Sequence, residues 1–282
     1  MITEHKINKA ITLLRKAEKL ALKYSEKGFF LAFSGGKDSQ CIYHLAKLAG
    51  VKFTAHYSVT SIDPPELMRF IKEEYPDVVF DRPKYTFYNL CRKRKCLPTQ
   101  RKRFCCQELK ETGGAGMVCI TGIRKYESIK RGKRKEVEIS NYKFSGTLDE
   151  FNEIYSTDKG GIVHKCIKGK DKVIINPIIN WSNNEVWSFI RNYLKVPYCE
   201  LYDKGSHRIG CLLCPMSSVN EQRKALMNYP NIKTGFLRVI KDLKQYYKNG
   251  VWTLDEEEIL NWYISKKSSK EFLEDRRQLS LF

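Results

Sequence analysis

Phe29-Phe30-Leu31-Ala32-Phe33-Ser34-Gly35-Gly36-Lys37-Asp38-Ser39 decides the architecture of this chain. Its five leading apolar residues do not alternate with polar ones, the pattern of a strand buried on both faces of a parallel sheet. A polar turn follows, after which Cys41, Ile42, Leu45, Ala46 and Leu48 recur at helical spacing. In such a strand–turn–helix unit, Gly35 and Gly36 let the backbone approach an anion without a Cβ clash. The helix N-terminus adds N–H groups and the positive end of its dipole. Ser34 and Ser39 contribute hydroxyls, and Lys37 a charge. At the carboxyl end of a strand, this turn suits a phosphate or pyrophosphate. It has neither the G-x-x-x-x-G-K-[ST] nor the G-x-G-x-x-G spacing, so it is a different kind of phosphate loop.

Outward from the turn, apolar residues at Ile7, Ile11, Leu14, Ala17, Leu20 and Ala21 predict a helix over 5–25, with Gly28 as its stop. Val51–Val59, Val78–Phe80, Met117–Thr121 and Val173–Ile175 read as further strands. Pro64-Pro65 opens a helix through Tyr75, and Ser182 with Glu185 caps one running to Leu194. The alternation predicts an α/β fold with a doubly wound, mainly parallel sheet. Two segments interrupt it. Arg82–Arg103 is basic, lacks Asp and Glu, and contains Tyr85, Phe87 and Tyr88. Residues 129–171 are polar and Lys-rich, consistent with an insertion of loops and a hairpin. Beyond about 220 the pattern is helical, with Trp252, Leu260 and Trp262 available to pack. The expected division is therefore a nucleotide domain over 1–220 and a helical C-terminal extension over 221–282.

Among 282 residues, 51 Lys and Arg oppose 32 Asp and Glu, a net charge of +19 that points to a polyanionic partner or a phosphate-collecting site. No apolar run approaches the ~20 residues of a membrane span. The N-terminus lacks a signal peptide's apolar stretch, so a cytoplasmic location is expected. Ten cysteines in that setting point to metal or catalysis rather than disulfides. Cys105-Cys106 and Cys211-Leu-Leu-Cys214 are two tight pairs. Four thiolates suit tetrahedral zinc or an iron–sulfur cluster, and Arg101, Lys102, Arg103 and Arg208 favour the thiolate form. Cys91 and Cys96, within the basic segment, are further candidates for reactivity. Cys41, Cys119, Cys166 and Cys199 are the others.

Ser34-Gly35-Gly36-Lys37-Asp38-Ser39 resembles the SGGxDS PP-loop of the adenine nucleotide α-hydrolases. Five further segments resemble the phosphoadenosine phosphosulfate (PAPS) reductase family, in order. They are Arg103-Phe-Cys105-Cys106-Gln-Glu-Leu-Lys110; Gly122-Ile-Arg124-Lys-Tyr-Glu127-Ser128; Asn176-Pro177-Ile178 with Trp181; Leu201-Tyr202-Asp203-x-Gly205; and Ile209-Gly210-Cys211-x-x-Cys214-Pro215. Thr60–Glu66 stands where the family carries "TG…PE", with Ser61 in place of the glycine. The resemblance, over about 29–216, implies that ATP, adenosine phosphosulfate (APS) or PAPS binds on Ser34, Gly35, Gly36, Lys37, Asp38, Ser39, Gly122 and Arg124. It implies catalytic roles for Lys37, Asp38, Arg124 and Glu127: Arg124 on the phosphates, Glu127 fixing Arg124 or Mg²⁺, and Asp38 holding Mg²⁺ or capping the helix. It implies a [4Fe-4S] cluster on Cys105, Cys106, Cys211 and Cys214, with zinc the alternative the residues leave open. Lys110 would neutralise a phosphate or the cluster, and His207 lies close in sequence to the second cysteine pair.

Sulfonucleotide reductases of the family attack sulfur with a cysteine in a C-terminal motif resembling "ECGxH". This sequence has no cysteine after Cys214. The resemblance then implies the chemistry of tRNA thiolases and DNA-phosphorothioation relatives: adenylation with release of pyrophosphate, then sulfur transfer from a donor protein. The alternatives are APS or PAPS reduction through a displaced or partner thiol, and a non-catalytic nucleic-acid-binding module. The Arg82–Arg103 aromatics suit stacking on DNA or tRNA bases. Gln278-Leu279-Ser280-Leu281-Phe282 is similar to the peptide with which bacterial DNA-associated proteins dock on the sliding clamp.

Overall fold

The structure is a computed structural model and describes residues 1–140, 144–156 and 171–279. The chain packs as two units. The first comprises 1–58, 65–81 and 112–209; the second comprises 59–64, 82–111 and the chain from Gly210 onward. This packing cuts across the sequence division at residue 220, because the basic segment and the Thr60 loop pack with the C-terminal helices.

The first unit is built on seven strands: β1 (Phe29–Ala32), β2 (Phe53–Ser58), β3 (Val79–Asp81), β4 (Val118–Ile120), β5 (Val137–Ile139), β6 (Phe144–Gly146) and β7 (Val173–Ile175). Their order is β3-β2-β1-β4-β7-β5-β6. The first five in that order run parallel. β5 lies antiparallel to both β7 and β6. The fold is thus the mainly parallel α/β sheet expected. The hairpin read in 129–171 is an antiparallel edge of that sheet, followed by a helix over Leu148–Ser156 that the weak periodicity concealed. Residues 157–170, with Cys166, lie outside the described residues.

From β1 the chain steps outward through β2 to β3, then crosses to the other side of β1 to form β4. The loops leaving β1 and β4 therefore emerge at a topological switch point, where open α/β sheets bind ligands. Phe29 and Leu31 of β1 are fully buried, as are Val118 and Ile120 of β4. Side chains of this size each contribute about 1.5–3 kcal/mol by leaving water. Ala32 and Ser34, by contrast, are exposed, while Phe33, Gly35 and Gly36 beside them are buried.

The helix Glu4–Tyr24 buries Ile7, Ala10, Leu13, Leu14, Ala17 and Ala21 and packs on the helix Lys37–Ala49. Ser182 and Glu185 form the expected capping box, but the helix does not continue unchanged to Leu194. Phe189–Leu194 is π-helical and ends at Lys195 with φ +53°. Such segments recur at functional sites, and this one carries Arg191.

The second unit is mainly helical. Phe87, Leu90, Phe236, Val239, Ile240, Leu243, Ile259 and Leu260 form its core, with Trp252 and Trp262 packed against it. Gln278 and Leu279 end the helix Ser269–Leu279, whereas Ser280–Phe282 of the candidate clamp peptide lie outside the described residues. Among the described residues no helix is long and apolar enough to cross a membrane.

His44, on the helix after the turn, lies 3.1 Å from the Tyr75 hydroxyl through Nε2. Burial, aided by Lys47, lowers its pKa to about 4. As pH falls from 6.5 towards 4, the unfolded chain takes up a proton that the folded chain refuses. Stability should fall over that window, by at most about 1.4 kcal/mol per pH unit. Urea unfolding of wild type and His44→Gln at pH 7 and pH 5 should show a smaller acid loss in the variant.

Candidate nucleotide and cysteine sites

In the first unit, the turn after β1 is shaped by both its glycines. Gly35 has φ +69°, and a Cβ there would lie 2.6 Å from Leu67 Cδ1 and 2.7 Å from Ile71 Cδ1. Gly36 is the helix N-cap and supplies no side chain to the first-turn N–H groups. Ser39 is buried, and its hydroxyl donates to the Gly36 carbonyl at 2.8 Å. The Ser34 hydroxyl in turn donates to Ser39 Oγ at 3.2 Å. The Lys37 N–H donates to the Tyr202 hydroxyl oxygen at 2.9 Å.

The loop after β4 presses on this turn. A Cβ at Gly122 would lie 2.9 Å from the Asp38 carbonyl oxygen, which explains the glycine. Arg124 is 4% exposed. Its Nε donates to Asp38 Oδ1 at 2.6 Å and its Nη1 to the Trp181 carbonyl at 3.3 Å. Asp38 Oδ2 meets Lys37 Nζ at 3.3 Å. Both Asp38 oxygens are thus engaged by cations, and Asp38 does not cap the helix. Two cations and one carboxylate leave a net positive group at a positive helix end, an arrangement suited to an anion. Glu127 does not touch the Arg124 guanidinium. It accepts the Arg124 backbone N–H at 3.1 Å and pairs with Arg131, holding the Lys125–Glu127 turn. The Asn176-Pro177-Ile178 segment supports the same loop: Asn176 Oδ1 accepts from the Thr121 hydroxyl at 2.5 Å, and the Ile179 carbonyl accepts from the Lys125 N–H at 2.9 Å.

Beside Arg124 is a cavity of about 450 Å³ lined by Arg124, Tyr126, Asn183, Trp187, Arg191, Tyr202, Ser206 and His207. Burial raises the Tyr202 pKa, and the Asp38 charge adds to it, against the opposing Lys37 N–H bond. Tyr202 therefore stays protonated while its oxygen accepts from Lys37.

In the second unit, Cys105 and Cys106 begin the helix Phe104–Leu109. The Cys105 thiol donates to Cys106, which raises the Cys105 pKa; burial and the charges of Cys106, Cys211 and Cys214 raise it further. Cys106 is correspondingly lowered, first by that hydrogen bond, with Lys110 and Arg103 assisting. Burial raises Cys214. Although burial opposes its charge, Lys110 is raised to about 12 by the charge and hydrogen bond of Cys211, then by Asp63 and Cys106. Among the described residues, no three His, Cys, Asp or Glu side chains already stand in metal-binding array. The chemistry of the donor set nevertheless fits a thiophilic metal: four thiols act on one another, with a lysine beside them to offset thiolate charge. Backbone devices hold them. Leu213, between Cys211 and Cys214, turns through φ +52° while 2% exposed. Gln222 Nε2 donates to the Cys214 carbonyl at 2.8 Å, and the Cys211 thiol lies 3.4 Å from Thr60 Oγ1. Cys91 and Cys96 are not activated as their basic surroundings suggested. Burial raises both, Cys91 to about 12.

Residues 28–217 match the phosphoadenosine phosphosulfate reductase domain. The chain belongs to the PAPS reductase family. This places it in the PP-loop superfamily. Two uncharacterized proteins of Methanocaldococcus jannaschii are 24% and 26% identical to this family member over 247 and 261 residues. The matches cover 80% and 90% of this chain but 46% and 55% of the relatives, so the chain spans about half their length. An adenosine 5'-phosphosulfate reductase of Allochromatium vinosum is 50% identical over 40 residues, 14% of this chain and 15% of that one. Among solved structures, the U34-tRNA thiolase NcsA from Methanococcus maripaludis with its [4Fe-4S] cluster aligns at 15% identity with a TM-score of 0.44, covering 86% of this chain and 79% of that one.

Against the PAPS reductase pattern, Ser61 replaces a glycine yet keeps a glycine-like backbone at φ +64°. Its hydroxyl stabilises that turn by donating to the Thr60 carbonyl at 2.5 Å and accepting the Phe87 N–H at 2.9 Å. The cavity residues that the sequence did not single out include Tyr126, Asn183, Trp187, Arg191 and Tyr202. Tyr202 lay within a quoted motif, which was the available signal. Trp187 and Arg191 gave none, because their spacing also suits an ordinary helix.

Proposed function

We propose that this chain binds the polyphosphate of an adenine nucleotide on the Ser34–Ser39 turn and uses it to activate an acceptor for sulfur transfer. One observation carries the reading: the glycine turn, the helix N-terminus whose cap residue Gly36 has no side chain, and the Lys37–Asp38–Arg124 group converge at the switch point. The backbone of Gly35 and Gly36 would cradle the phosphates. Lys37 and Arg124 would stabilise the charge that gathers on departing pyrophosphate, a role suited to a permanent guanidinium. Asp38 aims both cations, Ser34 and Ser39 shape the turn, and Gly122 and Glu127 shape the loop that delivers Arg124. Mg²⁺ would ride on the nucleotide's own phosphates, since the Asp38 oxygens already face cations. An acceptor oxygen attacks the α-phosphorus, the α–β bond breaks and pyrophosphate leaves. A sulfur nucleophile from a donor protein then displaces AMP.

Cys105, Cys106, Cys211 and Cys214 would hold a [4Fe-4S] cluster, with zinc as the alternative ion. When bound, the cluster supplies a thiophilic iron site for sulfur or electrons. Lys110 offsets the charge there. A DNA or tRNA acceptor is supported by the +19 charge and by cation–aromatic pairs such as Lys93 over Tyr85 and Lys95 over Tyr246. Arg92 and Arg94, paired with Asp242 and Glu108, contribute less. Gln278–Phe282 would dock on a sliding clamp, and the protein would act in the cytoplasm. A second reading, APS or PAPS reduction, draws on the short, high-identity match to the A. vinosum enzyme.

The test is product analysis on anaerobically purified protein. Pyrophosphate from ATP, dependent on an oligonucleotide and a sulfur donor, is the expected result. Sulfite from APS or PAPS in the presence of a thiol reductant would move the assignment to the reductase. Nucleic-acid binding that survives Ser34→Ala and Asp38→Ala, with no nucleotide turnover, would instead make the chain a binding module.

A further inference from the structure

Arg191 differs from the ion-paired arginines of the first unit. Arg124, Arg131 and Arg134 each meet a carboxylate. The Arg191 guanidinium instead lies against two rings that meet edge to face, 4.3 Å from the Trp187 centroid and 4.7 Å from that of Tyr198. Its Nη2 donates to the Tyr198 hydroxyl at 3.1 Å, and that hydroxyl donates onward to Asp203 Oδ1 at 3.1 Å. Of the five N–H donors on a guanidinium, that bond uses one. The group is preorganised by stacking without being neutralised by a direct ion pair, the state expected of a phosphate contact. The π-helical segment Phe189–Leu194 presents it to the cavity, at a cost in hydrogen-bond geometry that an ordinary helix would avoid.

Tyr126 is the second observation. It is 72% exposed, yet it sits on a turn fixed by Glu127 and by the Lys125–Ile179 backbone bond. It lines the same cavity. An exposed ring carried on a fixed turn is suited to stacking on a base rather than to core packing. Asn183 and Ser206 offer hydrogen bonds to a planar edge, and the cavity's ~450 Å³ lies within the range of small-molecule pockets.

Tyr202 ties the cavity to the turn. Its hydroxyl accepts the Lys37 N–H, while its ring stands edge-on to Trp187 at 4.8 Å.

Resting on the reading of the turn as a nucleotide site, we propose that this cavity is the acceptor pocket and receives one unstacked base of a single-stranded polynucleotide, with Tyr126 stacking on the base and Arg191 gripping the adjoining phosphate. A base within a duplex could not enter, because its reactive edge is paired and stacked.

The test measures binding of fluorescent single-stranded RNA and DNA of about 12 nucleotides to the full chain by anisotropy, over a series of salt concentrations. ATP binding is followed in parallel by calorimetry. Arg191→Ala should weaken strand binding about tenfold and reduce the slope of log K against log salt by about 0.7, the loss of one phosphate contact on a single strand. Tyr126→Ala should weaken it about fivefold or more with the slope unchanged. Both variants should bind ATP as wild type does, and a preference for RNA or DNA identifies the acceptor. Unchanged strand affinity and slope in both variants would overturn the proposal. So would loss of ATP binding instead, which would give the cavity to the nucleotide. Wild-type protein that binds ATP but no strand overturns the pocket alone, whereas failure to bind ATP overturns the reading on which it rests.

Discussion

Gly35→Ala should destabilise the protein by about 2–5 kcal/mol and weaken nucleotide binding by about 100-fold or more. Two costs add. At φ +69° an alanine carries the steric penalty of a left-handed backbone, about 1–2 kcal/mol. Its Cβ would also meet Leu67 Cδ1 at 2.6 Å and Ile71 Cδ1 at 2.7 Å, an overpacking worth about 1–3 kcal/mol. Relief requires the turn to move, and its backbone donors move with it. Gly36→Ala provides the contrast. Its φ of −81° is ordinary, and its nearest contact is the Tyr202 hydroxyl at 3.2 Å. That variant should fold with stability within about 0.5 kcal/mol of wild type, yet lose affinity because the new methyl occupies the space above the first-turn N–H groups. Urea unfolding separates the two effects from nucleotide calorimetry. Equal behaviour of the two variants in both assays would contradict this view of the turn.

Cys211→Ser should abolish the broad visible absorbance and the labile sulfide expected of anaerobically purified wild type. The loss should be nearly complete rather than proportional, since three thiolates and a hydroxyl seldom retain a four-cysteine cluster. Metal binding to the folded state adds directly to folding stability. The variant should therefore unfold at a lower temperature than loaded wild type, and at a similar temperature to wild type stripped of metal. Cys91→Ser and Cys96→Ser should keep the absorbance, because neither is among the thiols that act on Cys105, which are Cys106, Cys211 and Cys214. A colourless, zinc-loaded wild type would replace iron–sulfur with zinc at the same four residues. A colourless protein free of both metals would remove the metal site.

The parts of this protein that the sequence made legible are those whose chemistry is local. A run from Phe29 to Phe33 followed by two glycines leaves few alternatives to a buried strand and an anion-binding turn. Two tight cysteine pairs point in the sequence to a shared donor set, and the structure brings the four thiols close enough to act on one another. What stayed hidden depends on distant partners. Nothing near Asp38 in sequence reveals that one of its oxygens faces Arg124, 86 positions along the chain. Glu127 lies three residues from Arg124 yet serves its backbone, because the short turn points the carboxylate at the N–H rather than the guanidinium. The hairpin within 129–171 could be expected but not bounded from the sequence, because Val137–Ile139 and Phe144–Gly146 are too short to impose a visible two-residue period. Arg191 and Trp187 look like an ordinary helical i, i+4 pair, and only the π-helical backbone and the added contact of Arg191 with Tyr198 set them apart.

Calorimetric titration of the full chain with ATP, Mg²⁺ present, probes the turn most directly. Saturable heat at one nucleotide per chain, greatly reduced in Gly36→Ala while that variant stays folded, is the outcome the proposed site requires. Absence of heat from ATP, APS and PAPS alike, with folded protein in the cell, would contradict it.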